Sequence, residues 1–477
     1  MKTIKIALFA LAGSLVVSCS DLDLSPNDKA ASGSWYQTAE QFELNLNALL
    51  HHTYWPMERN EWGTNEQTEL DMLTDDGQNR SAPGRFLIDG VNSDFPLSVR
   101  MWDITYTGIN RCNKILTEIK KLEGVMDEDR YERIVANARF YRACFYARIM
   151  IHFGDPVMVP EDMDMDSEQG RESAYLLART DMWTVLPDIL KEFDDVAPLL
   201  PVSYTGGEIE RATRGAAYGM KARFALYFAS IRKWDTLENN GFGDADAAEA
   251  EKLFKEARDA AWNCMELGVY TLHSDFGQLF RMSTKHSPEG IFNIPRSKAL
   301  SNESKYQYLY GGATRAKLPR LSGAPTCTTC LPSWYLLCAF LDDQGKPIDE
   351  STVYDPHKPF EHRDPRCTYT IVEFGTQHVG VIFDPHFDVT EVYNSREGTM
   401  VTNNDSRSYL ISGNSNQYAS YNGLVLKKHV DDDWLAPFEA ENDKLILRYA
   451  DVLLMYAEAK IELNEIDDTC LLYTSDA

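Results

Sequence analysis

The sequence predicts a mainly α-helical protein, a helical repeat scaffold carrying long loops and a few short β hairpins. Three observations predict it. Apolar residues recur at three- and four-residue spacing through several long segments. Many residues on those seams are alanine, small enough to let helix backbones approach closely. Between Ser283 and Glu441 the texture changes to short β-leaning runs separated by Gly, Asn, Ser and Pro clusters.

The elements follow in order. Trp102, Tyr106, Ile109 and Asn113 precede Ile115 and Leu116 on one helix. Tyr131 to Phe153 carries Ala136, Phe140, Ala143, Ala147 and Met150 on one stripe, and Gly154-Asp155-Pro156 stops it. Ala217, Met220, Phe224, Phe228 and Ile231 line another, and Phe254, Ala257, Ala260, Ala261 and Cys264 the next, closed by GVYTL. Ala450, Leu453, Leu454, Ala457 and Ile461 form the last, read as a helix over 445–465. Helix pairs separated by long insertions resemble degenerate tetratricopeptide units. Within the loop-rich part, Gly290 to Pro295, Cys367 to Phe374 and Val379 to Phe383 read as strands.

At the N-terminus, Lys2 and Lys5 precede a mostly apolar run, Ile6 to Val17, shorter than the roughly 20 residues of a spanning helix. That is a secretory signal over residues 1–18. Ser18 then meets Cys19, so a small residue for peptidase recognition sits against a thiol available for acylation. The combination is a lipoprotein box, with Cys19 as the lipidation site. Two or more acyl chains anchor stably, which predicts a protein held on a membrane without spanning it.

Length alone suggests two or three domains, but repeats make the mature chain, 19–477, one domain. Helical repeats run to about residue 282, the loop-rich part covers 283–441, and the last repeat is incomplete. The net charge of -26 repels phosphate backbones, so nucleic acid is not an expected partner. Among nine cysteines, Cys112, Cys144 and Cys264 lie in helical patterns and read as small buried hydrophobes.

Other clusters carry less. Asp162, Asp164 and Asp166 begin like a calcium loop, but Ser167 replaces the turn glycine and Ser173 the bidentate Glu, which leaves a solvated acidic linker. Cys327 and Cys330 have redox or zinc spacing, yet no second pair follows and Cys338, Cys367, His357 and His362 form no ligand pattern. A disulfide or free thiols are expected there, and no metal or cofactor. The adjacent acids Asp75-Asp76 and Asp342-Asp343 could serve as glycosidase acid and base, but 73 acidic residues produce such pairs by composition. No nucleophile elbow, zinc-protease helix or phosphate loop is present.

The segment Cys19-Ser20-Asp21-Leu22-Asp23-Leu24-Ser25-Pro26 resembles the mature start of the SusD/RagB family of Bacteroidota surface glycan-binding lipoproteins. In family order follow WDITYTGINRCNKIL (Trp102 to Leu116), ARFYRACFYARIMIHFGDPVMV (Ala138 to Val159) and TRGAAYGMKARFALYFA (Thr213 to Ala229). Then come EARDAAWNCMELGVYTL (Glu256 to Leu272), EGIFNI (Glu289 to Ile294), RDPR (Arg363 to Arg366) and LILRYADVLLMYAEAKIELNE (Leu445 to Glu465). The ordered set covers nearly the whole mature chain.

The resemblance implies four tetratricopeptide-like helix pairs beneath a less regular ligand-binding part. It implies a non-enzymatic, lipid-anchored protein on the extracellular side of the outer membrane. There it would bind glycan for a SusC-like TonB-dependent outer-membrane transporter, the acidic residues after Cys19 acting as the export signal. A peptide-binding relative is the nearest alternative, a glycoside hydrolase a distant one. Family ligand sites fall on two loop stretches, here containing Asn79, Arg80, Arg85, Phe86 and Phe95, and Tyr306, Tyr308, Tyr310, Trp334 and Tyr335. The resemblance also implies a continuation beyond Glu465. Against it the chain reads as truncated, and Cys470 to Ala477 resembles a translated sequencing-adapter end.

Overall fold

The computed structural model describes residues 35–51, 54–55, 74–79, 96–235, 242–297, 330–406, 419–431 and 441–467. Its helices are α1 (Ala39–Leu49), α2 (Pro96–Ile119), α3 (Glu128–Phe153), α4 (Glu168–Tyr175), α5 (Met182–Val196), α6 (Arg214–Trp234), α7 (Ala247–Met265), α8 (Trp334–Ala339), α9 (Pro365–Thr370) and α10 (Tyr449–Glu462). The strands are β1 (Gly77–Asn79), β2 (Gly290–Ile294), β3 (Cys330–Pro332), β4 (Thr376–His378), β5 (Val381–Phe383), β6 (Glu391–Asn394), β7 (Thr399–Thr402) and β8 (Lys444–Arg448).

Helices pack as successive neighbours: α2 on α3, α3 on α5, α5 on α6, α6 on α7 and α7 on α10. The caps explain the boundaries. Asp127 accepts the Arg130 N–H at 3.0 Å to start α3, and Gly154, at φ 70°, ends it. Thr213 Oγ1 accepts the Ala216 N–H to start α6, and Asp246 accepts two N–H groups to start α7. The expected stripes face inward: Ala136, Phe140, Ala143, Ala147 and Met150 are buried, as are Ala217, Met220, Phe224 and Phe228. Small residues set the spacing, since a Cβ on Gly108 of α2 would stand 2.7 Å from the Phe145 ring of α3. Cys112, Cys144 and Cys264 are buried free thiols; burial pushes the first and last up to about 12.

One core spans these helices and takes in Phe292 of β2 and Leu447 of β8. Strands β2 and β8 pair antiparallel, with Ile294 opposite Lys444. The last helix is therefore shorter than its periodicity predicts: Leu445 to Arg448 extend along β2, and α10 starts at Tyr449. Glu289, 3% exposed, fixes the junction. Its Oε1 accepts from Arg448 Nη1 at 2.7 Å and its Oε2 from the His273 N–H at 2.7 Å.

Two strand expectations change. Cys367 to Thr370 belongs to α9, because Asp364 caps the Arg366 N–H at 2.8 Å and Pro365 stands in the first turn, a start signal that outweighs local β propensity. Strand β5 begins at Val381, since Val379 and Gly380 take positive φ in a turn. Strands β4 to β7 form a four-stranded antiparallel meander. Helix α5 carried no expectation, although Asp181 caps it and Val185, Leu186, Ile189, Leu190 and Phe193 give it a buried stripe. Among the described residues, no helix is long and apolar enough to cross a membrane.

Candidate functional site

The described ends of the two loop stretches singled out in the sequence, 74–79 and 330–335, meet in space. Strand β1 pairs antiparallel with β3, Asn79 opposite Cys330. Ser333, the residue after β3, joins them further: its N–H donates to Asp76 O at 2.8 Å and its hydroxyl to Asp75 O. The same hydroxyl caps α8 by accepting the Leu336 N–H at 2.9 Å.

Helix α8 is thus a short shelf with two faces. Leu337 points down into a satellite core with Phe360, Cys367, Ile371 and Leu424. Trp334 and Tyr335 point outward, 42% and 63% exposed. The Trp334 Nε1–H donates to Asn422 O at 3.1 Å, which fixes the ring while leaving part of it open. Asn422 is itself held, since its Nδ2 donates to Pro332 O at 2.7 Å and its Oδ1 accepts from Ser420 and Leu424. Beside it Tyr421 is 50% exposed. The sequence reading missed Tyr421; the Tyr421-Asn422-Gly423 turn signal with its aromatic was the available cue.

The RDPR motif holds this shelf. Arg363, 6% exposed, donates to Leu337 O, to Phe340 O at 2.7 Å and to Pro359 O at 2.9 Å, so one guanidinium satisfies the carbonyls that end α8. Asp364 caps α9, whose Cys367 and the following Ile371 lie under the shelf. Burial pushes the Asp364 carboxyl up, and the Arg366 side chain and N–H outweigh it, leaving the group below its ordinary value. Burial pushes the Cys367 thiol up to about 11.

A second concavity, of about 540 Å³, lies against α2 and α4. Two of its aromatic rings are already engaged, while a third, Tyr175, is 88% exposed. Trp102 lies under the Arg179 guanidinium at 4.9 Å and edge-on to Phe153 at 5.2 Å, and the Tyr106 hydroxyl accepts the Val157 N–H at 2.7 Å. Those rings hold α2 to its neighbours. The acidic pairs are turn residues as well. Asp342 Oδ1 accepts the Gln344 and Lys346 N–H groups, while Asp75 and Asp76 supply carbonyls to Ser333. In the acidic linker, Asp166 pairs with Lys114 at 2.8 Å and Ser167 caps α4.

Residues 288–473 match the SusD family, and residues 22–226 match a family described as starch-binding and associating with the outer membrane. The chain belongs to the SusD/RagB family. A SusD-like carbohydrate binding protein from Bacteroides fragilis superposes on this member with a TM-score of 0.68 at 20% identity, covering 91% of this chain and 76% of that one. Surface glycan-binding protein A from Bacteroides uniformis gives a TM-score of 0.61 at 14% identity, covering 92% and 80%. A laminarin binding SusD-like protein gives 0.60 at 16% identity, covering 91% and 82%. No curated protein matches at the level of sequence.

Of the site residues expected for a SusD/RagB member, Trp334 and Tyr335 lie on the shelf and Asn79 contributes backbone to the strand beside it. Cys19, Arg80, Arg85, Phe86, Phe95, Tyr306, Tyr308 and Tyr310 lie outside the described residues, as do Cys327 and the tail from Cys470.

Proposed function

We propose that this chain is a lipid-anchored protein of the outer-membrane surface that binds glycan on the α8 shelf, without cleaving it, and passes it to a SusC-like TonB-dependent transporter. One observation carries the reading: a rigidly supported helix presents Trp334 and Tyr335 outward where β1 and β3 pair. Sugar rings offer apolar C–H faces that stack on such rings, while their hydroxyls need fixed polar partners. A ring pinned through Nε1 loses little freedom on binding. The names of the structural relatives, which bind carbohydrate, glycan and laminarin, agree with it. The acidic chain favours neutral over anionic saccharides. Cys19 supplies the anchor through its acyl chains.

The test is calorimetric titration with laminarin, xyloglucan and starch oligosaccharides and with a peptide pool. Trp334→Ala should weaken saccharide binding by about 1 to 2 kcal/mol, roughly 5- to 30-fold, from lost stacking and burial. An unchanged isotherm for a saccharide that does bind removes the shelf from the site. Binding confined to peptides replaces glycan by the peptide alternative, and release of reducing sugar ends the non-catalytic reading. Cys19→Ala should move the protein to the soluble fraction.

A further inference from the structure

Three segments far apart in the chain bring acidic and imidazole groups together away from the shelf. Glu210 precedes α6, His286 sits in the turn before β2, and Asp443 stands immediately before β8. One donor atom from each lies within 4.8 Å of the others, and among the described residues no other such trio of His, Cys, Asp or Glu occurs. His286 Nδ1 is 2.7 Å from Glu210 Oε1. That oxygen is buried and has no hydrogen-bond partner.

Asp443, 8% exposed, gives the second, independent sign. Its Oδ1 is saturated by Lys285 Nζ at 2.9 Å and the Arg296 N–H at 3.0 Å. Its Oδ2 is buried and has no partner other than the Glu210 carboxyl beside it. Buried carboxylate oxygens in native proteins are rarely left so. A cavity of about 200 Å³ lined by Glu210, His286 and Asn293 gives a path inward.

We propose that Glu210, His286 and Asp443 bind one divalent transition-metal cation, with zinc the best match. The donor set is one imidazole nitrogen and two carboxylate oxygens, a combination used for zinc and manganese. Calcium prefers oxygen alone and in larger number. The cation ties the approach to α6, the turn before β2 and the entry to β8 together, and stabilises the fold by binding the native state. Sequence spacing could not reveal it, because each ligand comes from a different segment.

The experiment uses the full chain without a histidine tag, stripped with chelator and titrated calorimetrically with zinc, manganese and calcium chlorides, with melting temperature read in parallel. The expected result is one zinc per chain, bound more tightly than calcium, and a higher melting temperature. Glu210→Gln and His286→Asn should each weaken zinc at least tenfold with an unchanged circular dichroism spectrum. Asn suits the left-handed φ of 63° at position 286. Three results overturn the proposal: no stoichiometric binding of any of the three salts, zinc binding equal to wild type in both variants, or tighter binding of calcium than of zinc.

Discussion

Replacing Arg363 with Met should open the α8 shelf while leaving the helical scaffold folded. Met keeps much of the apolar stem but removes every donor that reaches Leu337 O, Phe340 O and Pro359 O. A buried acceptor left unpaired costs about 1–3 kcal/mol, and water can reach some of these carbonyls once the guanidinium is gone, so about 3 kcal/mol in total is the working figure. That is enough to shift local opening roughly a hundredfold. The cost stays local, because Leu337 packs in the satellite core with Phe360, Cys367, Ile371 and Leu424, whereas α2 to α7 share the main one. The assay is native-state hydrogen exchange followed by mass spectrometry, comparing peptides over 334–341 with peptides from α3. Exchange should accelerate about a hundredfold in the first and hardly in the second. Equal protection of 334–341 in variant and wild type would refute the claim that Arg363 holds the shelf, and equal acceleration in α3 would refute its separateness.

Two further outcomes follow from buried charge. Glu289→Gln leaves Arg448 without its closest countercharge in a mostly buried site and should destabilise by about 3 kcal/mol, read as a lower denaturation midpoint at unchanged m-value. His429 is held well below its ordinary value of 6.5 by burial first and then by Lys444, Lys428, Arg448 and Arg296. The folded state therefore binds fewer protons than the unfolded one below pH 6.5, and stability falls as the pH drops from there. His429→Asn, tolerant of the φ of 68°, should flatten that slope in urea melts run at successive pH values.

The helical part was legible because its signals are local. Ala136, Phe140, Ala143, Ala147 and Met150 repeat within a few turns, and Gly154 with Pro156 ends them. Helix α5 carried the same local signal, an unbroken stripe of Val185, Leu186, Ile189, Leu190 and Phe193, and Pro187, which the helix accommodates, lies off that stripe. The extension of α10 to Leu445 failed for a non-local reason: Leu445, Ile446 and Leu447 suit a helix locally, and only the distant β2 makes them a strand. The same limit governs the site. Trp334 and Tyr335 stood out as aromatics in a loop-rich stretch, but that Arg363 supports them and that Asn422 brings Tyr421 nearby depends on contacts no spacing rule encodes.

Because Ile294 lies opposite Lys444, the chain leaves the scaffold and returns to it at adjacent points of one ladder. The described residues between, the shelf and the meander included, form an excursion with a fixed socket, and the shelf also leans on β1 outside it. Lengthening such an excursion is inexpensive, since doubling a closed loop adds only about 0.6 kcal/mol of closure entropy. Exchange of the excursion by recombination would leave the helix seams and the Glu289–Arg448 clasp untouched. The excursion can therefore be rewritten in this architecture without altering the helix seams, and a chimera joined at these two strands, with the β1 segment exchanged alongside to keep its pairing with β3, is the natural unit for engineering it.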